Sequence, residues 1–246
     1  MLKGLYIWVL IGVLGLCACA PQSNELARIA VATNFLETAQ KLEAAFEADT
    51  DYQIDLISGS TGQLYTQIIN GAPYDVFLSA DAARVTKLMQ GGYGVEGTQF
   101  TYAKGKIVVF GTDNPDTDLK AGRFKTLAIA NPELAPYGLA AKEALIYMEL
   151  YQGAEPKLIY GQNVGQAYGF VATRNAELGI VAFSQMKKTS DIFWMVPESY
   201  YRDIAQDGIL LSLAKDNKSA RAFLNYLKTP SAQNIIIKAG YEVHAS

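Results

Sequence analysis

Four short stretches of this chain hold residues whose types and spacing could do chemistry together: Thr33-Asn34, Ser58-Gly59-Ser60-Thr61-Gly62, Pro136-Tyr137-Gly138 and Asn163-Val164-Gly165. Each follows a short apolar run and precedes residues with helical spacing, so each should stand where a strand hands over to a helix. The first turn of a helix carries N–H groups with no partner inside the helix, and the macrodipole adds about half a positive charge there. Small hydroxyls and amides add donors at three of these places, and Gly59 and Gly62 let the backbone come close to whatever lies beside it. None of the four turns carries Lys or Arg. Donors without a cation suit an oxyanion, and two or three such ends converging on one point would satisfy a tetrahedral dianion, at about 1.5–3 kcal/mol for each charge-assisted bond. Taken singly, each stretch is also what an ordinary helix start requires, since Ser, Thr and Asn are the common caps and Tyr137 and Val164 are packing residues elsewhere. Glu37, three residues after Asn34, stands in capping-box register and is expected to fold back onto the backbone ahead of its helix.

Other chemistries find less support. The only histidine is His244, two residues from the end, and the two cysteines, Cys17 and Cys19, fall in or beside an apolar leader. That leaves no Ser-His or Cys-His nucleophile and no zinc or copper ligand set in the mature chain. Asp75 and Asp81 are the one carboxylate pair that stands out, but Asp75 opens a strand and Asp81 should cap the next helix, so the chain does not read as an enzyme. Tyr200 and Tyr201, with Phe193 and Trp194 upstream, suit either a sugar platform or a segment that crosses between lobes; the second is expected.

The elements that must position these residues alternate along the chain. Strands are expected at 28–32, 53–58, 75–80, 106–111, 126–131, 157–161, 179–184, 193–197 and 208–214, with helices at 35–48, 62–71, 81–90, 138–151, 165–176 and 217–228. Alternation of this kind predicts α/β architecture, and so many elements in 246 residues, half of them apolar, suit two lobes better than one sheet. In such folds ligands lie beyond the carboxyl ends of strands, which is where the four stretches sit. The first 20 residues, Lys3 followed by "LYIWVLIGVLGLCACA", read as a secretory signal peptide. General cleavage after Ala20 and lipidation at Cys19, in "LCAC", are both open. The leader removes one of the 21 basic residues against 24 acidic ones, so the exported chain is mildly acidic and nucleic acid is not an expected partner.

The blocks "RIAVATNFLETAQKLEAAFE", "SGSTGQLYTQIINGAPYDVFLSAD", "LAPYGLAAKEAL", "ELGIVAFSQ" and "SARAFLNYLKTPSAQNIIIKAGYEV" span the mature chain. In them it resembles the periplasmic molybdate-binding proteins that deliver oxyanion to an ABC importer. The resemblance implies a two-lobed periplasmic-binding-protein-like fold (type II) of two mixed sheets flanked by helices. One lobe would comprise 21–104 plus 204–246 and the other 105–203, with crossings near Ala103–Lys106 and Tyr200–Ala205. It implies a monomer without a cofactor, a membrane permease as partner, and ligand contacts at Thr33, Asn34, Thr61, Tyr137 and Val164, the last two through backbone. In one branch of the family a tyrosine after the "GIV" strand gives its hydroxyl to the ligand; Ala182 stands there in this chain, so Thr33 or Asn34 is expected to replace that donor. The ligand implied is molybdate or tungstate, which are larger than sulfate and nearly identical to one another; another tetrahedral oxyanion such as sulfate is the alternative.

Overall fold

A computed structural model describes residues 26–186 and 190–243. The expected leader with Cys19, and His244, lie outside the described residues. In chain order the strands are β1 (Ala27–Ala32), β2 (Ile54–Gly59), β3 (Val76–Leu78), β4 (Phe100–Gly105), β5 (Ile107–Phe110), β6 (Leu127–Ala130), β7 (Leu158–Gly161), β8 (Leu178–Ala182), β9 (Phe193–Met195) and β10 (Ile204–Leu210). The helices are α1 (Leu36–Asp49), α2 (Thr61–Ile69), α3 (Ala82–Gln90), α4 (Pro115–Lys120), α5 (Pro136–Tyr147), α6 (Tyr151–Ala154), α7 (Val164–Ala172), α8 (Phe183–Met186), α9 (Lys218–Tyr226) and α10 (Pro230–Lys238).

The strands form two five-stranded mixed sheets, ordered β2-β1-β3-β10-β4 and β7-β6-β8-β5-β9. In the first, β1 pairs in parallel with β2 and β3, while β10 runs antiparallel to β3 and β4. The second repeats the scheme: β6 is parallel to β7 and β8, and β5 is antiparallel to β8 and β9. The chain therefore leaves the first sheet after Gly105, enters the second at Ile107, and returns from β9 to begin β10 at Ile204. Strands β3, β5, β6 and β8 are buried along their whole length, which is why their sequences are unbroken apolar runs rather than alternating ones.

Several elements depart from the sequence expectation; α4, α6 and α8 have no counterpart in it, and α8 begins at Phe183 inside the strand expected over 179–184. Strand β4 was not anticipated, because "FTYAKG" has no apolar run of its own and is held by its pairing with β10. Strand β10 was placed at 208–214, yet it begins at Ile204 and Ser212–Ala214 forms a 3-10 turn. Gln206 and Asp207 break its apolar pattern, and both are buried with partners: Asp207 accepts from Gln99 Nε2 and Thr101 Oγ1, each at 2.7 Å. The helix expected over 138–151 instead starts at Pro136 and stops at Tyr147, where Glu149 takes a left-handed φ of 60° and lets α6 start in a new direction. Helix α10 was also missed, although Thr229 caps it, accepting from Ala232 N at 3.3 Å, and Pro230 occupies its first turn.

Candidate functional site

Each strand-to-helix junction proposed from sequence is one, and all four open onto one small cavity between the two sheets' lobes. Thr33, Asn34, Ser60 and Thr61 line it from the first lobe, and Tyr137, Asn163 and Val164 from the second. It is small and walled by both lobes, too small for a sugar ring.

Local sequence explains why the backbone presents donors here. Ser60 caps α2 in a full capping box, its Oγ accepting from Gln63 N at 3.3 Å while Gln63 Oε1 accepts from Ser60 N at 3.4 Å. Asn163 caps α7 by accepting from Gln166 N at 2.9 Å, and Pro136 opens α5. These devices satisfy the deeper first-turn amides and leave the outermost ones. Among the described residues, the N–H groups of Thr33, Asn34, Thr61, Tyr137 and Val164 have no protein acceptor. Five orphan donors from both lobes thus face one space, which is the chemistry of a helix-start anion site repeated around a centre.

The side chains divide the work differently from expectation. Thr61 Oγ1 accepts from Ala80 N at 3.2 Å, and no described acceptor takes its proton. Thr33 Oγ1 instead donates to the carbonyl of Gly59 at 3.0 Å, so its hydroxyl ties the turn to the end of β2 and only its N–H is left for the cavity. Asn34 is not a cap: Thr33–Phe35 form a 3-10 turn ahead of α1, and neither this turn nor α1 has a side-chain cap. Nor does Glu37 fold back. Its carboxylate lies 3.7 Å from Lys41 one turn on, half exposed to solvent. Asn34 has a stronger attraction inward, where Nδ2 shares its two protons among Gln206 Oε1 at 2.8 Å, Tyr241 Oη at 3.2 Å and Tyr137 Oη at 3.4 Å.

That inward cluster was not legible in the sequence. Gln206 Nε2 donates to Tyr137 Oη at 3.1 Å, and Tyr102 Oη reaches Gln206 Oε1 at 3.3 Å and the Ser79 carbonyl at 3.0 Å. Tyr241 Oη donates to the Asn34 carbonyl at 2.7 Å and lies 2.9 Å from Ser184 Oγ. Burial holds the hydroxyls of Tyr102 and Tyr137 well above the ordinary phenol range and pushes Tyr241 up to about 12, so the cluster is neutral. The one signal pointing to it is Gln206 itself, a polar side chain inside a buried strand.

Among the described residues, no Lys or Arg lines the cavity. Arg84 of α3 stands beside Gly62, outside the lining; its guanidinium pairs with Asp81 and Nη2 donates to the Glu133 carbonyl of the other lobe at 2.9 Å. Asp81 also caps α3, accepting from Arg84 N at 2.8 Å, and Asp75 accepts from Arg28 N at 2.6 Å; both carboxylates hold structure. The lobes touch directly around the site. Gly62 N donates to the Leu134 carbonyl at 2.9 Å, and a Cβ on Gly165 would stand 2.7 Å from Thr33 Cγ2. Ala182 is fully buried in β8.

The family model described as bacterial extracellular solute-binding protein matches residues 27–242. The molybdate-binding protein ModA of Rhodobacter capsulatus is 44% identical over 234 residues, covering 93% of this chain and 92% of its own. The molybdate-binding protein ModA of Azotobacter vinelandii is 43% identical over 236 residues, covering 92% of this chain and 93% of its own. Among solved structures, the Azotobacter vinelandii periplasmic molybdate-binding protein superposes with a TM-score of 0.83 at 34% identity, over 89% of this chain and 99% of that one. The sulfate-binding protein SubI of Mycobacterium tuberculosis shares the fold, with a TM-score of 0.75 at 12% identity over 89% of this chain and 86% of that one.

Proposed function

The chain belongs to the bacterial extracellular solute-binding proteins, and from that premise we propose that it captures molybdate outside the cytoplasm and delivers it to the permease of an ABC importer. It does so as a carrier without a catalytic step. The observation that carries this reading is the set of five N–H groups, on Thr33, Asn34, Thr61, Tyr137 and Val164, that have no acceptor and line one cavity without a cation among the described residues. The two ModA relatives, each above 40% identical along nearly the whole chain, favour molybdate over sulfate as the oxyanion.

In this reading the ligand's four oxygens share the five amides and the Thr61 hydroxyl. Each lobe supplies part of the set: residues 21–104 and 204–246 give Thr33, Asn34 and Thr61, and residues 105–203 give Tyr137 and Val164. An ion bound to one lobe alone is half satisfied, so binding and lobe closure are one event. Neutral donors also suit release, because a buried arginine would add affinity that the permease then has to overcome. Tungstate, equal in shape, binds comparably, while the smaller sulfate leaves donors out of reach. The donor lost at Ala182 is made up by the Asn34 N–H and the Thr61 hydroxyl. A leader over 1–20 exports the chain as a monomer to the periplasm, with Cys19 as the lipid anchor if cleavage follows the lipoprotein route.

Titration calorimetry with molybdate, tungstate, sulfate and phosphate tests the reading. Saturable heat at micromolar molybdate and tungstate, with none from sulfate or phosphate at the same concentration, is expected. Absence of molybdate heat would defeat it.

A further inference from the structure

Tyr137 takes part in the site twice, through its backbone N–H and through its side chain. Its side chain crosses from α5 of one lobe into the other and is buried there. Its hydroxyl accepts from Gln206 Nε2 at 3.1 Å and from Asn34 Nδ2 at 3.4 Å, and it sits directly on the Gly105 backbone. A Cβ built on Gly105 would stand 2.0 Å from Tyr137 Oη and 2.8 Å from Cζ, closer than atoms can approach. Glycine here answers a contact with the other lobe; its φ is not in the left-handed range.

The socket is itself fixed. Gly105 ends β4 and Gln206 lies near the start of β10, the two strands by which the chain leaves and re-enters the first lobe. Tyr241 completes it from the C-terminal segment, which pairs with β4 through Glu242: Lys104 N donates to the Glu242 carbonyl at 2.8 Å and Glu242 N to the Lys104 carbonyl at 3.0 Å. From that position Tyr241 Oη holds the Asn34 carbonyl, in the peptide that follows the Asn34 N–H.

We propose that the Tyr137 hydroxyl is a docking plug that sets the closed spacing of the lobes, with Gly105, Gln206 and Tyr241 as positioning residues that complete the oxyanion site without touching the ligand. The proposal rests on the oxyanion reading above and adds what makes the two half-sites meet. A plug seated in a neutral socket closes the lobes to one separation, at which the Tyr137 and Val164 amides stand opposite those of Thr33, Asn34 and Thr61. Seating the plug needs no charged group, so it does not compete with the anion for the cavity's field.

Two variants read it from opposite sides. Tyr137→Phe keeps the amide and removes the hydroxyl; Gly105→Ala keeps the hydroxyl and fills its seat. Each should dissociate molybdate at least tenfold faster in stopped-flow measurements, and small-angle scattering of the loaded protein should show a larger radius of gyration than the wild type. The Gly105→Ala defect should shrink in a Tyr137→Ala background, where nothing meets the added methyl. A merely structural defect would lower the melting temperature without that dependence on residue 137. Wild-type dissociation rates and scattering in both folded variants would overturn the plug. If the wild type takes up none of the four oxyanions, the ligand reading falls instead. The plug is then judged on ligand-free protein, where an identical radius of gyration in wild type and Gly105→Ala overturns it and an expanded variant supports it.

Discussion

Thr33 and Thr61 show how two threonines at matching junctions come to do different work. Both are β-branched hydroxyl residues where a strand hands over to a helix, Thr33 directly after β1 and Thr61 behind the Ser60 cap of α2, and residue type alone does not tell them apart. The difference is tertiary: Gly59, across the β1–β2 pair, takes the Thr33 proton, while Thr61 receives one from Ala80 and keeps its own. Thr61→Val should therefore leave a ligand oxygen unpaired and weaken molybdate binding by about 1–3 kcal/mol in calorimetry. Thr33→Val should cost about 0.5–1.5 kcal/mol of folding stability in urea unfolding and change affinity less than Thr61→Val does. The opposite ranking of affinities would show that Thr33 turns its hydroxyl to the ligand on binding. The place of Asn34 at a junction that lines the cavity was legible, but its inward hydrogen bonds were not, because a cap is a local inference and Gln206 and Tyr241 lie 172 and 207 residues away along the chain.

Helix starts were the most legible elements. Asn163 before Val164, Ser60 before Thr61 and Asp81 before Ala82 all cap as their types predict, since a cap needs only a short side chain and a nearby N–H. Strands were legible where apolar residues run through them and not where polar residues interrupt the run, as in β4 and the first residues of β10. The caps also link stability to binding. Asn163→Ala should cost about 0.5–2 kcal/mol of stability, and because the Val164 amide stands in the turn that Asn163 holds, affinity should fall as well. Urea unfolding and calorimetry on the same variant check both; a stability loss at constant affinity would show that α7 keeps its first turn without the cap.

Across the whole molecule, the crossing segments meet in a cluster of charges that local patterns do not reveal. Glu198 binds Lys106 at 2.9 Å and Lys104 at 3.1 Å; Lys104 also binds Asp203 at 3.0 Å, and Lys106 binds Glu242 at 2.5 Å. The outgoing crossing, the return crossing and the C-terminal segment are thereby tied at one joint, beside the strand that ends in Gly105. Hydrogen bonds from Lys106, and then from Lys104, hold the Glu198 carboxyl below its usual range, while the carboxylates raise both lysines. A carboxyl lowered on folding contributes stability above its unfolded value, near 4.3 for Glu, and loses it as pH falls through the lower folded value. The raised lysines contribute below about 10.4 and lose their part only as pH rises beyond it. Between these limits the joint is fully paired, and its partly exposed charges make it weaken with salt. Glu198→Gln should therefore destabilise the protein in urea unfolding at pH 7, and by less at pH 3, where the wild-type carboxyl is itself becoming protonated. An equal difference at both pH values would mean that Glu198 acts at this joint through packing and not through its charge.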